Sequence, residues 1–124
     1  MRGIYDLGDS LPGRRELKLT ALCQDDAART VRFLTGAVMA CGGSVLLRRF
    51  EPDASAEIEF EFPRATCVEM YSLLIAAGLE LSRESHLMLA DLCQCTKDLM
   101  DLMETKAFET AGVDLRVYPA SARP

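Results

Sequence analysis

The residues of this sequence that are best suited to chemistry are His86, Cys93 and Cys95, which lie close together in the chain. Imidazole and thiolate groups are the usual ligands of zinc, and a histidine can also serve as a general base. Whether the three can share a site depends on the element that carries them. On a strand, Cys93 and Cys95 would face the same way, whereas on a helix residues two apart point about 200° apart. Only a strand would therefore bring both thiols to one ion.

Residues 86–95 are predicted to form part of a helix rather than a strand. They include no β-branched residue and are rich in leucine, methionine and alanine, which favour helices. Ser82 is a suitable N-cap, and the first turn after it contains a glutamate, which is favourable there. We predict a helix from about Arg83 to about Phe108, stopped by Gly112. On this prediction the two thiols bind no metal and are small buried residues.

No other catalytic motif is found in the sequence. It has no glycine-rich phosphate loop, no Gly-x-Ser-x-Gly segment and no HExxH pair. The single histidine has no nucleophile beside it in the sequence. We therefore predict a protein that is not an enzyme and that uses no cofactor and no metal. The alternative is a small metal-binding protein or enzyme that uses His86, Cys93 and Cys95.

The composition indicates a globular protein with an acidic surface. The chain has 124 residues, of which 49% are hydrophobic, and its 14 basic and 19 acidic residues give a net charge of −5. A chain of this length can form one domain with a core of its own. The acidic balance argues against a nucleic-acid partner, and no apolar run approaches the roughly 18 residues of a membrane span. Five cysteines without a recognisable signal peptide predict free thiols and a cytoplasmic location.

The hydrophobic pattern predicts two β-α-β units in succession. Apolar residues alternate in the strands and recur every three to four positions in the helices. The predicted elements are a strand at Glu16–Cys23, a helix from an N-cap at Asp25 to Gly42, strands at Ser44–Phe50 and Ala56–Phe62, a helix from about Arg64 to Gly78, and a short strand at Leu79–Ser82. This order predicts an α+β protein with a ferredoxin-like βαββαβ sandwich, in which two helices cover one face of an antiparallel sheet.

The segments that flank this core carry weaker signals. We predict that the core spans residues 16–82 and that residues 1–15 form an N-terminal arm. Residues 83–124 are predicted to form a C-terminal helix and tail that belong to the same single domain. A last short strand is predicted at Asp114–Tyr118, where apolar and polar residues alternate.

The second strand of the predicted hairpin alternates regularly between apolar and acidic residues. Its apolar residues face the core, so that three glutamates face the other side of the sheet: Glu57, Glu59 and Glu61. The predicted register of the hairpin places Val45 beside Phe62, Leu47 beside Phe60, and Arg48 beside Glu59. We predict a solvated face that is salt-paired with Arg48 and Lys18, rather than a site for a divalent cation.

The same face also carries apolar residues between its charges. On the predicted register these residues are Leu22, Leu46 and Phe50. A mixture of apolar and salt-paired groups is typical of a contact between protein subunits. We therefore predict a homodimer that has these three residues at its interface.

The segment from Glu16 to Ser82 resembles an ACT domain, or the wider ACT-like group. The resemblance covers a little over half of the chain. It rests on the strand Leu17–Leu22, the helix from Asp25 to Gly42, the hairpin to Phe62, and the helix that ends at Ala77-Gly78 before Leu79. ACT domains are regulatory modules that usually bind amino acids at interfaces between paired domains.

The resemblance implies a ligand site at the turn from the first strand into the first helix. The residues of that turn are Gln24, Asp25, Asp26 and Ala27, with no glycine of the kind that the family often has there. The two aspartates compete with an anionic ligand for the helix start, which favours an amine-bearing ligand or none.

The function implied by the resemblance is that of a free-standing, non-catalytic regulatory or assembly module. It would bind an amino acid or another small polar metabolite at a dimer interface. A further alternative is a protein–protein interaction module whose third helix packs into a partner.

Overall fold

The computed structural model describes residues 15–102 and 110–120. Its strands are β1 (Arg15–Cys23), β2 (Ser44–Phe50), β3 (Ala56–Pro63), β4 (Leu79–Leu81) and β5 (Thr110–Pro119). Its helices are α1 (Ala27–Ala40), α2 (Cys67–Ala76) and α3 (Arg83–Leu102), with a 3-10 turn at Arg64–Thr66 before α2. Nearly all of the predicted N-terminal arm, the predicted end of the third helix and residues 121–124 lie outside the described residues.

The local elements agree with the sequence pattern. Each strand and helix predicted within residues 16–82 is present, and residues 86–95 lie in α3, as their composition predicts. Ser82 caps this helix, because its Oγ accepts a hydrogen bond of 3.1 Å from the amide of Ser85. The prediction of a helix rather than a strand around Cys93 is therefore confirmed.

Helix α1 begins one residue later than its sequence suggests and ends where predicted. Its N-cap is Asp26 rather than Asp25, since the Oδ1 of Asp26 accepts a hydrogen bond of 3.2 Å from the amide of Ala28. After the helix, Gly42 adopts a φ of 82°, in the left-handed region that glycine tolerates best.

The sheet has five strands in the order β2-β3-β5-β1-β4. β5 pairs antiparallel with β3 and parallel with β1, from Arg15 opposite Ala111 to Cys23 opposite Pro119. The α+β class is confirmed, but the prediction of a wholly antiparallel sheet is wrong, because β5 lies between β3 and β1. The strand predicted at the C-terminal end is present and longer than predicted. It includes Gly112, so that this glycine is a strand residue and not a helix stop.

β5 lies inside the sheet because one of its faces is apolar and both of its edges can pair. Its core-facing side chains are at most 3% exposed: Ala111, Val113, Leu115 and Val117. Such a strand is most stable where helices cover its apolar face and where neighbouring strands on both sides form hydrogen bonds with its backbone amides and carbonyls. Its neighbours are more than forty residues away in the chain, and local periodicity does not encode pairing over such a distance.

All three described helices pack on one face of the sheet. α1 packs on β2 and β3, α3 packs on β1, and α2 contacts both helices and β4. The largest side chains of this core include Leu19, Leu34, Ile58, Phe60 and Leu115, each at most 1% exposed. The opposite face, called the polar face below, carries the side chains of opposite parity on the same strands. None of the described helices is long and apolar enough to cross a bilayer.

The register of the β2–β3 hairpin differs from the predicted one. The loop closes with Phe50 opposite Ala56, which shifts the pairing by one residue, and a bulge between Val45 and Leu47 shifts it by another. The pairs predicted for Val45, Leu47 and Arg48 are therefore wrong; Val45 lies opposite Phe60, Leu47 opposite Glu59, and Arg48 opposite Ile58. A shift of one residue turns a side chain to the other face of a sheet, so that Arg49 now lies on the side of the glutamates.

Candidate functional site

Among the described residues, two places are the main candidates for a functional site. One is the carboxylate cluster on the polar face, formed by Glu57, Glu59 and Asp114. The other is a groove between α2 and α3 that has two thiols in its wall. Because the helices cover the core face of the sheet, the two places lie on different sides of it.

The carboxylate cluster forms where β3 and β5 run side by side. Glu59 lies opposite Asp114, and Glu57 lies opposite Arg116. Each of the three acids places an oxygen within 4.8 Å of the other two. The two glutamates share a face because they lie two apart on one strand, as the sequence predicts, whereas Asp114 joins them from the neighbouring strand.

Two arginines flank Glu57 from the strands on either side. The Nη1 of Arg49 donates a hydrogen bond of 2.8 Å to the Oε1 of Glu57, and the Nη2 of Arg116 lies 3.6 Å from the same oxygen. The side chain of Glu57 is 5% exposed, so this pairing compensates for the loss of water around its charge. The polar face is salt-paired, as predicted, but through Arg49 and Arg116 rather than Arg48.

Asp114 is the acid of the cluster that has a buried oxygen without a hydrogen-bond partner in the described part of the chain. Its Oδ1 is buried and has no hydrogen-bond partner among the described residues. Burial first, then hydrogen bonding to Glu57 and the charges of Glu57 and Glu59, together raise the pKa of this carboxyl to about 6, while Arg116 opposes the rise. Asp114 therefore takes up a proton as the pH falls through about 6.

The arrangement supports proton sharing more directly than cation binding. Three carboxylate oxygens are suitable ligands for a hard divalent cation, which takes six or more oxygens in all. However, the Oε1 of Glu57 is already bonded to Arg49, so the guanidinium competes with an ion for this carboxylate. A proton on Asp114 relieves the repulsion among the acids without disturbing the ion pair.

Asp114→Asn is expected to stabilise the protein at about pH 7.5. A carboxyl whose pKa is raised by folding contributes stability below its unfolded pKa of 3.8, and this contribution is lost as the pH rises through about 6. Asparagine keeps the shape without the charge, so the gain is about 1 kcal/mol at pH 7.5, after allowance for solvent screening, and shrinks toward pH 4. Thermal unfolding across this pH range measures it.

The matched control for this variant is Asp25→Asn, which changes an exposed aspartate outside the cluster. It should leave the pH dependence of unfolding as it is in the wild type. A loss of stability on Asp114→Asn at pH 7.5 would contradict the prediction, since it would show that the negative charge of Asp114 is needed there.

The groove between α2 and α3 has a volume of about 530 Å³. Its walls are largely apolar, with a few hydroxyl, amide and ammonium groups around them. The residues that line it are Ala65, Cys67, Val68, Tyr71 and Ser72 on the α2 side, and Ala90, Cys93, Gln94, Thr96 and Lys97 on α3. Because the side chains of Ala65 and Ala90 are small, space remains open between the two helices.

The thiols in the groove wall belong to Cys67 and Cys93, whose Sγ atoms are 2.8 Å apart. Cys67 is 1% exposed, as expected for a small core residue, whereas Cys93 and Cys95 are partly exposed, so the prediction that these two are buried is wrong. Burial raises the pKa of the Cys67 thiol, and the hydrogen bond and charge of Cys93 raise it further. Cys93 therefore has its thiol partner on the other helix and not at Cys95.

The single histidine is engaged by a tyrosine of the neighbouring helix. The Nδ1 of His86 and the hydroxyl of Tyr71 are 2.7 Å apart and hydrogen-bonded, and the two ring centroids are 5.9 Å apart. His86 and Cys93 thus contact different residues of α2. Within the part of the chain that the structure describes, His86, Cys93 and Cys95 do not form a group of metal ligands.

In the turn predicted to hold a ligand, most residues are engaged in contacts with neighbouring residues of the chain. Asp26 caps α1, Ala27 is buried, and the thiol of Cys23 donates to the carbonyl oxygen of Asp25 at 3.1 Å. Gln24 and Asp25 are exposed beside them. The side chain of Asp26 therefore already takes one of the amides that an anionic ligand would use.

The three residues predicted at a dimer interface are not brought together. Leu46 and Phe50 are each about half exposed and lie on β2, the outer strand on one side of the described sheet. Leu22 lies on β1, which is separated from β2 by β3 and β5. Phe50 is opposite Ala56, on the core side, so it does not share a face with the glutamates.

The resemblance to ACT domains stays a prediction. No family model, no curated protein and no solved structure matches this chain. The arrangements that sequence reasoning missed are the meeting of Asp114 with Glu57, of Cys67 with Cys93, and of Tyr71 with His86. Each of these contacts joins two elements that lie apart in the chain. The only local signal was the alternation in residues 114–118, which predicts the strand that carries Asp114.

Proposed function

We propose that this protein is a non-catalytic module that binds a small molecule in the groove between α2 and α3. The observation that carries the proposal is the groove itself, whose volume of about 530 Å³ is within the range of small-molecule sites. Mainly apolar walls with a few polar groups are also typical of such sites. Among the described residues no catalytic grouping forms at the groove, which is in keeping with a role in binding: His86 is bonded to Tyr71, and burial raises the pKa of the Cys67 thiol.

The groove favours a ligand that has an apolar body and an anionic group. Ala65, Val68 and Ala90 offer apolar contacts, and Lys97 adds a cationic residue to the lining of the groove. No carboxylate belongs to the residues that line the groove in the described part of the chain. This ligand class is more apolar than the small polar metabolite that the resemblance to ACT domains implies.

Ala90→Phe is expected to weaken the binding of anilinonaphthalenesulfonate, a fluorescent probe with an apolar body and one sulfonate. The added ring takes up space in the groove, so that the dissociation constant rises about tenfold or more, which corresponds to about 1.4 kcal/mol. Titration of the folded protein followed by probe fluorescence measures the effect.

The control for this experiment is Ala76→Phe, which adds the same ring to an exposed alanine at the end of α2 outside the groove. It should leave the affinity close to that of the wild type. Equal affinities for all three proteins, or no saturable binding to the wild type, would contradict the proposal.

A second proposal is that the chain acts as a cytoplasmic, ACT-like regulatory or assembly module. The order β-α-β-β-α-β from β1 to β4 supports it, and the ferredoxin-like arrangement proposed for this segment would then contain β5 as an extra strand inserted between β3 and β1. All five cysteines are free thiols, in keeping with a reducing compartment.

For such a module we propose a homodimer formed through β2. An outer strand offers unpaired backbone groups to a second chain, and about half of the side chains of Leu46 and Phe50 is exposed there. Light scattering tests the proposal, since the mass of a single chain, 13.7 kDa, at micromolar concentration contradicts it.

A further inference from the structure

The thiols of Cys67 and Cys93 are placed for chemistry with each other. Cys67 is the first residue of α2 and Cys93 lies within α3, so two packed helices hold the sulfur atoms 2.8 Å apart. We propose that these residues form a reversible disulfide bond by exchange with a low-molecular-weight disulfide, such as oxidised glutathione, that reaches them through the groove. The proposal does not depend on the groove binding a small molecule for another purpose.

Exposure sets the order in which the two thiols react. Cys93 is partly exposed and lines the groove, whereas Cys67 is 1% exposed. A reagent in the groove therefore meets Cys93 first. The buried Cys67 contacts the thiol of Cys93, so it acts second, as the resolving thiol.

The reaction consists of two exchanges. The thiolate of Cys93 attacks one sulfur of the reagent, so that a mixed disulfide forms and one small thiol leaves. The thiolate of Cys67 then attacks the Cys93 sulfur, and the second small thiol leaves. The protein loses two thiol protons and two electrons and gains one S–S bond, while the reagent loses its S–S bond and takes up both electrons and both protons.

The first exchange prepares the second. Burial is the main cause that raises the pKa of Cys67, and the hydrogen bond and the charge of Cys93 add to it, while Arg64 lowers it. Once Cys93 is a mixed disulfide it carries no negative charge, so one of these causes is removed. Cys67 then loses its proton more readily than in the reduced protein, which favours closure of the bond.

The experiment is equilibration of the folded protein with excess oxidised glutathione, followed by intact-mass measurement and peptide mapping. We expect the map to show one link between Cys67 and Cys93, with the linked peptides about two mass units lighter than the two free peptides together, through loss of two hydrogen atoms. A bond between α2 and α3 closes a loop in the chain and should raise Tm by roughly 10 °C. Dithiothreitol should reverse both changes.

Three variants separate the steps. Cys67→Ser should retain a glutathione adduct on Cys93, Cys93→Ser should form neither a link nor an adduct at Cys67, and Cys95→Ser should behave as the wild type. Cys95 is a matched control because it lies on the same helix and points about 200° away from Cys93. If Cys67→Ser does not fold, the peptide map of the wild type still shows whether the link between Cys67 and Cys93 forms. Full alkylation of every thiol after equilibration, or a link to Cys41 or Cys95 instead, overturns the proposal.

Discussion

Gly43→Ala is expected to destabilise the protein by about 3 kcal/mol, which is at the upper end of the usual cost of overpacking. A Cβ at Gly43 would overlap the backbone carbonyl oxygen of Glu61 and lie only 3.0 Å from a methyl group of Val38 and 3.1 Å from the Cα of Phe62. The first contact is with backbone of β3, which cannot turn away as a side chain can. Relief requires β3 to move relative to α1, and this movement would disturb the core around Phe62, which is 1% exposed.

Gly36→Ala is the matched control for this change. Gly36 lies in α1, is exposed, and has nothing within 4 Å of an added Cβ. Alanine is the better helix former, so this variant should gain about 0.5–1 kcal/mol. Urea denaturation of both variants measures the free energy of unfolding. If both variants change stability in the same direction, the close packing of Gly43 against β3 is not as described.

Leu115→Ala is expected to cost about 2–5 kcal/mol, the range for truncating a fully buried leucine. Leu115 is 0% exposed and lies in the middle of β5, between Leu19 of β1 and Ile58 of β3. Its removal leaves a cavity where the antiparallel and parallel parts of the sheet meet. Equilibrium unfolding in urea measures the loss.

Leu87→Ala makes the same chemical change at a position in α3 where the leucine is 61% exposed. This control should change stability by less than about 0.5 kcal/mol. Similar costs for the two leucines would contradict the position of β5, since they would mean that Leu115 is no more buried than Leu87.

The elements of the fold are predictable from the sequence because their signals are local. The apolar spacing of α1, the glycines at its end and the alternation of β3 all act between residues a few positions apart. The helix at residues 86–95 follows likewise from residue type. The sheet order is not predictable in this way, because the pairing of β5 with β1 and β3 depends on residues far apart in the chain.

The candidate sites show the same division. The shared face of Glu57 and Glu59 follows from the period of a strand, but the partner of Glu57 on β2 depends on a register that the loop shifts by one residue. For this reason Arg49, and not Arg48, meets Glu57. Helical geometry excludes a shared site for Cys93 and Cys95, yet the contact of Cys93 with Cys67 depends on how α2 and α3 pack.

The central position of β5 also has a consequence for how the chain folds during synthesis. β5 follows every other described element in the chain. Until it is synthesised, the edges of β1 and β3 that pair with β5 in the folded sheet lack this partner. On the ribosome these two strands would therefore present unpaired backbone edges and the apolar side chains of an incomplete core. Such exposed edges promote association with other chains and are sites at which chaperones bind. Formation of the β1–β5 pair, which joins residues as distant as Arg15 and Ala111, is thus expected to be a late and comparatively slow step.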